Sequence, residues 1–327
     1  MADIPFLIKE ASKKLRGIVE RTPLVYSTSF SRMFGASVYL KLENLQKTGS
    51  FKVRGAYNKI SSLSSEEKDR GVITASSGNH AQGVAWASAL LKVKCCVVMP
   101  ETSQQVKQTA ASGYGANLTL KGKNFGEAYD EALKMAAAEG ITFIPPYDDD
   151  LVIAGQGTIG IEILEDLSDV DTVIVPVGGG GLISGIATAL KHANPNIRVY
   201  GVEADAATSC VDSLREGHAV PAENRPTIAD GIAVKKVSER TFNIIREKVE
   251  DVVIVAEDSI AEAVLKFMER KKLVVEGAGA VPLAALIENK IPKPGNKVVL
   301  VVSGGNIDVT VLDRIIRLGL VKEGRGI

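Results

Sequence analysis

From residue 72 onward, short β-branched runs alternate with helix-length segments whose apolar positions recur every three or four residues. The runs at 72–74, 94–99, 118–120, 172–177, 199–202, 252–255 and 298–302 read as strands, and helices are predicted over about 80–91, 125–138, 153–166, 182–192, 258–271, 278–289 and 308–318. Strand, helix, strand in repetition is the signature of a parallel sheet with right-handed crossovers, so the expected class is α/β, doubly wound. Residues 1–17 mix Asp3, Lys9, Glu10, Lys13 and Lys14 with apolar positions, which predicts an amphipathic helix rather than a secretory leader. The pattern breaks at Pro145-Pro146-Tyr147-Asp148-Asp149-Asp150 and again near the Ser/Glu-rich stretch 61–68. These breaks predict a small lobe of 70–148 inserted between the two parts, 1–69 and 149–327, of a larger one.

Composition narrows the partners. The 327 residues carry 39 Lys plus Arg against 39 Asp plus Glu, so no net field exists to hold nucleic acid or an anionic membrane, and a small-molecule partner is expected. No apolar run approaches the roughly 18 residues that would cross a bilayer. Three cysteines, with Cys95 and Cys96 adjacent, make neither a disulfide framework nor a CxxC metal pattern, and a cytoplasmic setting fits them.

Gly178-Gly179-Gly180-Gly181 follows a strand and precedes a helix. Backbone N–H groups without side chains, at a helix N-terminus, make a phosphate cradle, with a tight turn as the alternative. Glu203 at the end of the next strand could be a ribose-binding acid, but the GxGxxG fingerprint of dinucleotide folds fails at both possible registers. Two further polar glycine turns, Ser76-Ser77-Gly78-Asn79-His80 and Ser303-Gly304-Gly305-Asn306, lie at predicted strand ends, where open parallel sheets bind ligands. Lys52 follows a Gly-Ser turn and is flanked by Phe51 and Val53. An apolar setting lowers an amine's proton affinity and suits it to Schiff-base chemistry, although most lysines are simply solvated.

Ser50-Phe51-Lys52-Val53-Arg54-Gly55-Ala56, Ser76 to His80, the Gly178 to Gly181 loop, Thr227-Ile228-Ala229-Asp230-Gly231 and Ser303 to Asn306 occur in one order along almost the whole chain. In this the sequence resembles the fold type II pyridoxal-phosphate enzymes, a tryptophan synthase β-like fold of two lobes with mostly parallel sheets, and within them the threonine dehydratase and serine racemase branch. The resemblance implies that Lys52 carries the pyridoxal aldehyde, that Gly178, Gly179, Gly180 and Gly181 hold its phosphate, and that Asn79 bonds the ring's 3′-oxygen. It also implies that Phe51 and Gly231 pack on the ring, that Ser303 meets the pyridine nitrogen, and that Ser76, Ser77, Gly78, Asn79 and His80 grip the substrate carboxylate.

A neutral hydroxyl at the pyridine nitrogen limits carbanion stabilisation, which favours substrates with a leaving group at Cβ and Lys52 as the base. The activity implied is α,β-elimination of water from L-threonine, and from L-serine, giving 2-oxobutanoate or pyruvate and ammonia. Serine racemase is the alternative within the family, because Ser77 matches the racemase's second base. However, Tyr147 stands where racemases carry Asn, and Pro145 to Asp149 looks like the short catabolic threonine dehydratases. A non-catalytic nucleotide-binding regulator built on the glycine loops is the alternative outside it. Family members with a cation near the phosphate loop would place its ligands at Glu203, Ala207 and Ser209. The second acid is missing here, so a monovalent or a divalent ion is expected, and a solvated Glu203 is the alternative. No isoleucine-sensing domain is expected before the sequence ends at Ile327, and a homodimer or homotetramer is expected.

Overall fold

The computed structural model describes residues 3–103, 105–291 and 293–325, so the parts of the terminal expectations that fall on Met1, Ala2 and Ile327 lie outside the described residues. In chain order the strands are β1 (Leu24–Tyr26), β2 (Ser37–Leu42), β3 (Val72–Ala75), β4 (Cys95–Met99), β5 (Asn117–Leu120), β6 (Thr142–Phe143), β7 (Thr172–Pro176), β8 (Arg198–Ala204), β9 (Asp251–Val255) and β10 (Lys297–Val302). The α-helices are α1 (Ile4–Leu15), α2 (Thr28–Phe34), α3 (Lys52–Ser61), α4 (Ser65–Arg70), α5 (Asn79–Leu91), α6 (Gln105–Ser112) and α7 (Phe125–Glu139). They continue with α8 (Asp150–Asp166), α9 (Gly181–Ala193), α10 (Ser209–Glu216), α11 (Glu239–Lys248), α12 (Glu257–Lys266), α13 (Gly277–Ile287) and α14 (Val309–Lys322). The predicted helix over 258–271 runs on from α12 as a π-helical turn, Phe267–Lys271.

Two sheets result. One has the order β1-β2-β10-β7-β8-β9 and the other β5-β4-β3-β6. Every pairing is parallel except β1 with β2, so the expected class holds. In the larger sheet the chain steps outward from β7 to β8 to β9 and then returns to the other side of β7 with β10. In the smaller it steps from β3 to β4 to β5 and returns beside β3 with β6. Such reversals leave a crevice beyond the carboxyl ends of the strands, because the two connections leave to opposite faces. The loops at those four ends are Gly178 to Gly181, Ser303 to Asn306, Ser76 to His80, and Ile144 to Asp149.

Helices α3, α8 and α9 approach one another closely. α8 packs on both α3 and α9, and a Cβ added at Gly185 of α9 would stand 2.4 Å from the Ile153 carbonyl oxygen and 2.5 Å from the Gly157 nitrogen of α8. This proximity joins the helix that begins at Lys52 to the helix that begins at the glycine loop. α1 buries Ile4, Ile8, Ala11 and Leu15 against this layer, the one-sided spacing that its sequence predicts.

A buried ionic cluster fixes α3. Arg54 is fully buried and donates from Nε and Nη2 to the two oxygens of Glu43, both at 2.8 Å. Its Nη1 donates to Glu162 Oε1 at 2.6 Å and to Thr158 Oγ1 at 3.1 Å. Lys41, also fully buried, donates to Glu162 Oε2 at 2.5 Å and to the Thr22 carbonyl at 2.7 Å. Two cations thus face two carboxylates. Although burial alone would raise it, the Arg54 and Lys41 charges hold the Glu43 carboxyl below the ordinary range.

The sequence pattern does not predict β1, β2, β6, α2, α3, α4, α6, α10 or α11, and the cluster explains two of these, β2 and α3. Lys41 in β2 and Arg54 in α3 read as surface positions, whereas each is buried by a partner distant in sequence. β1 and β6 are too short to register a pattern.

Replacing Arg54 with Leu leaves buried carboxylates short of a cation, which costs about 3–5 kcal/mol. The urea unfolding midpoint of Arg54→Leu should therefore fall steeply. Arg317→Ala, which removes the exposed partner of Asp313, should leave it unchanged. Equal midpoints for the two variants would show that the cluster does not hold α3.

Candidate active site

The turn before Lys52 is tied strand-fashion to the turn after β10. Phe51 N–H donates to the Ser303 carbonyl at 3.1 Å, Gly305 N–H donates to the Gly49 carbonyl at 2.9 Å, and Ser50 bridges Gly304. Lys52 is the first residue of α3. Its Nζ donates to the Pro146 carbonyl at 3.0 Å and stands 5.0 Å from the centre of the Phe51 ring. Burial lowers the amine to about 8, against the pull of the Glu276 carboxyl, which acts to raise it. A substantial neutral fraction near neutral pH is what a nucleophilic or basic amine needs.

Asn79 opens α5 after β3. Its Nδ2 donates to Glu276 Oε1 at 2.8 Å, while its Oδ1 accepts from Asn306 Nδ2, also at 2.8 Å. The Gly78 position at the start of this 13-residue helix carries no side-chain cap, so backbone donors and the helix's positive end face the crevice. Ser76 and Ser77 lie half-buried in the same turn, with Ser76 Oγ accepting from Gly78 N–H at 3.2 Å. The His80 ring turns away from this turn, to the Ile144 carbonyl at 3.0 Å. A carbonyl only accepts, so Nε2 carries the proton and the buried Nδ1 holds a lone pair without a partner among the described residues. Burial, aided by the Lys52 charge, lowers His80 to about 3, so the ring is neutral.

The glycine loop closes the opposite side. Gly180 caps α9 with a φ of 87°, again with no side-chain cap. A Cβ at Gly179 would meet the Tyr147 ring at 2.2 Å, so the absence of a side chain serves the packing of Tyr147 as well as access to the backbone. Tyr147 Oη donates to the Lys236 carbonyl at 3.0 Å. The segment Pro146-Tyr147 therefore touches both Lys52 and the loop. Gly231 lies next to Ile232, whose Cα is 3.0 Å from a Cβ placed on Gly178.

Contacts running through Pro146, Tyr147, Ile232 and Asn306 thus bring Lys52, Phe51, Asn79, Gly231, Ser303 and Gly178 to Gly181 into one ring. Glu276 completes it and is absent from the motifs. It is buried before α13, its carboxyl is pushed up to about 8 by burial and by Asp230, and donation from Asn79 and from the Asn306 backbone opposes that rise. Its signal in the sequence is slight, an acid directly before Gly277-Ala278-Gly279.

Glu203 lies apart, at the end of β8. It is 1% exposed, so it is not a solvated strand-end acid. Its Oε1 accepts from Cys210 N–H at 2.8 Å and its Oε2 from Val211 N–H at 2.9 Å, at the start of α10. Burial pushes this carboxyl up to about 8. Ala207 and Ser209 are buried beside it, and Ser209 Oγ has no partner among the described residues. No cluster of three or more His, Cys, Asp or Glu fit to hold a metal occurs among the described residues.

The chain is 52% identical over 318 residues to an L-threonine ammonia-lyase of Thermotoga maritima, a match that covers 97% of this chain and 79% of that one. Among solved structures, the processed threonine deaminase isoform 2 of Solanum lycopersicum superposes with a TM-score of 0.91 at 41% identity, covering 97% of this chain and 94% of that one. Maize serine racemase superposes with the same TM-score of 0.91 at 34% identity, covering 99% of each chain. The family model described as pyridoxal-phosphate dependent enzyme matches residues 15–304, and the chain belongs to that family.

Proposed function

We propose that this chain eliminates water from L-threonine, and secondarily from L-serine, giving 2-oxobutanoate or pyruvate together with ammonia. The observation that carries this reading is identity at half of all positions, over nearly the whole chain, with an enzyme named for ammonia release from L-threonine. The site residues fit pyridoxal phosphate. A desolvated amine at Lys52 lies in one ring of contacts with an uncapped helix N-terminus whose loop offers backbone donors to an anion. When bound, the cofactor supplies a sink for the electron pair released at the substrate Cα.

The chain's own residues then divide the work. Lys52 holds the cofactor and, once released by substrate, takes the Cα proton, while the Pro146 carbonyl holds its amine in place. Ser303 would offer the pyridine nitrogen a hydroxyl rather than a carboxylate, a pairing that suits substrates carrying a leaving group at Cβ. Phe51 and Gly231 would cover the ring, Asn79 would meet its 3′-oxygen, and Gly178 to Gly181 would take the phosphate. Ser76, Ser77, Gly78, Asn79 and His80 receive the substrate carboxylate through the positive end of α5, with His80 contributing its backbone because its ring is committed to Ile144. Residues 70–148 act as the small lobe that closes over the substrate, and 1–69 with 149–327 as the lobe that holds the cofactor. A monovalent or divalent cation at Glu203, Ala207 and Ser209 belongs to the same reading; the Ser209 hydroxyl without a partner among the described residues supports it, and a bound cation would have to draw the Glu203 carboxyl back to its ionised form. A cytoplasmic homo-oligomer is consistent with three free cysteines and with no described helix long and apolar enough to cross a membrane.

Racemisation of serine is the second reading, favoured by the likeness to maize serine racemase and by the half-buried Ser77 at the mouth of α5. It requires a proton returned to a Cα that keeps its hydroxyl. Tyr147, packed on the glycine loop, is the position at which the sequence departs from racemases.

Three outcomes test these assignments. The loaded protein should form 2-oxobutanoate and ammonia from L-threonine in equal amounts, and Lys52→Ala should abolish this; turnover by Lys52→Ala would remove Lys52 from the chemistry. With L-serine, pyruvate should accumulate faster than D-serine, measured together by chiral chromatography, and the reverse order would establish the racemase. Because the neutral amine is the reactive form, the rate at which the apo protein captures cofactor should fall about tenfold for each pH unit below about 8 and level off above it. A rate that goes on rising about tenfold per pH unit through pH 9, read by stopped-flow absorbance at roughly constant ionic strength, would contradict a desolvated Lys52.

A further inference from the structure

Three sequence motifs converge on one carboxyl that belongs to none of them. A Cβ on Gly304 would stand 2.4 Å from Glu276 Oε1, so that glycine leaves the space this side chain fills, and a Cβ on Gly231 would lie in ordinary contact with the same atom at 3.5 Å. Asn79, from the third motif, donates into it. Glu276 sits at the N-cap of α13 yet makes no side-chain cap, so its carboxyl is turned from its own helix into the site.

The orientation of Asn79 follows from a chain of bonds that starts at a group with no choice. The Thr48 carbonyl can only accept, and Asn306 Nδ2 lies 2.7 Å from it, which identifies that atom as the nitrogen. The second N–H of the same nitrogen goes to Asn79 Oδ1, and this leaves Asn79 Nδ2 facing Glu276 Oε1. If the Asn79 amide turned over, its nitrogen would meet a donor and its oxygen would meet a carboxyl oxygen. One N–H of Asn79 is therefore used by Glu276, and one remains.

We propose that Glu276 is a positioning residue that, with Asn306, locks the Asn79 carboxamide so that its remaining N–H serves the 3′-oxygen of the cofactor ring. This rests on the assignment of Asn79 to that oxygen. A donor at the 3′-oxygen stabilises its ionised form, which absorbs in the visible, over the neutral form, which absorbs in the near ultraviolet. Either protonation state of Glu276 leaves an oxygen free to accept from Asn79, so the lock does not depend on its ionisation.

The test uses the cofactor-loaded protein at one fixed pH and reads the ratio of the visible to the near-ultraviolet band. Asn79→Ala and Glu276→Ala should each lower the ratio by about threefold or more, and the double variant should lower it no further, because one lost hydrogen bond underlies all three. Glu276→Gln, whose carbonyl can accept the same bond, should restore the ratio. Asn306→Ala, which removes an exposed side chain and so should fold, should lower the ratio in the same direction. An unchanged ratio in Asn306→Ala or in Glu276→Ala, or additive effects in the double variant, would overturn the proposal while leaving Asn79 at the cofactor. An unchanged ratio in Asn79→Ala would overturn the assignment of Asn79 itself, and the proposal with it.

Discussion

The guanidinium of Arg54, forked between Glu43 and Glu162, is the contact on which the geometry of the site depends. Arg54 lies two residues beyond Lys52 on the same helix, and its partners come from the end of β2 and from α8. α8 in turn packs on α9, which opens at the glycine loop. A displaced Arg54 would thus move the Lys52 amine relative to the glycine-loop end of α9. Lys41, Glu43 and Arg54 are fully buried and Glu162 nearly so, so the members hold one another at fixed geometry or leave a costly orphan charge. That all-or-none character suits a part that must not drift.

Burial has a second consequence inside the crevice. It pushes the Lys52 amine down, the Glu276 carboxyl up and the His80 imidazole down, so groups that would be charged in water tend toward neutrality. The fixed positive character of the site then comes from backbone, at the uncapped starts of α5 and α9. An anion can be held there without a permanent cation beside Lys52, which would otherwise lower the amine's proton affinity further. The site of a reaction that moves protons is therefore built from groups close to exchanging them and from dipoles that cannot.

Much of the fold is legible in the sequence because it depends on periodicity. The runs at 172–177 and 298–302 form strands buried along almost their full length, and the helices between such runs start where apolar spacing changes. What periodicity conceals is polarity buried by distant partners. Lys41 interrupts β2, and Arg54 makes α3 look like surface. Strand order is invisible as well. The adjacency of β7 and β10, which brings Gly178 to Gly181 beside Ser303, appears only when the sheet is assembled. The glycine turns are readable one by one as candidate ligand loops, but Glu276 has no motif of its own, since its role comes from Asn79, Gly231 and Gly304 lying around it. Glu203 shows the same limit, because a strand-end acid in sequence becomes a buried carboxyl held by the start of α10.

In the function proposed here, this architecture presents the Lys52 amine to an aldehyde. The most direct measurement is to load the protein with pyridoxal phosphate, reduce it with borohydride, digest it and locate the added mass by tandem mass spectrometry. The adduct should fall on Lys52 alone. An adduct on another lysine with Lys52 unmodified, or no stable adduct at all, would contradict it.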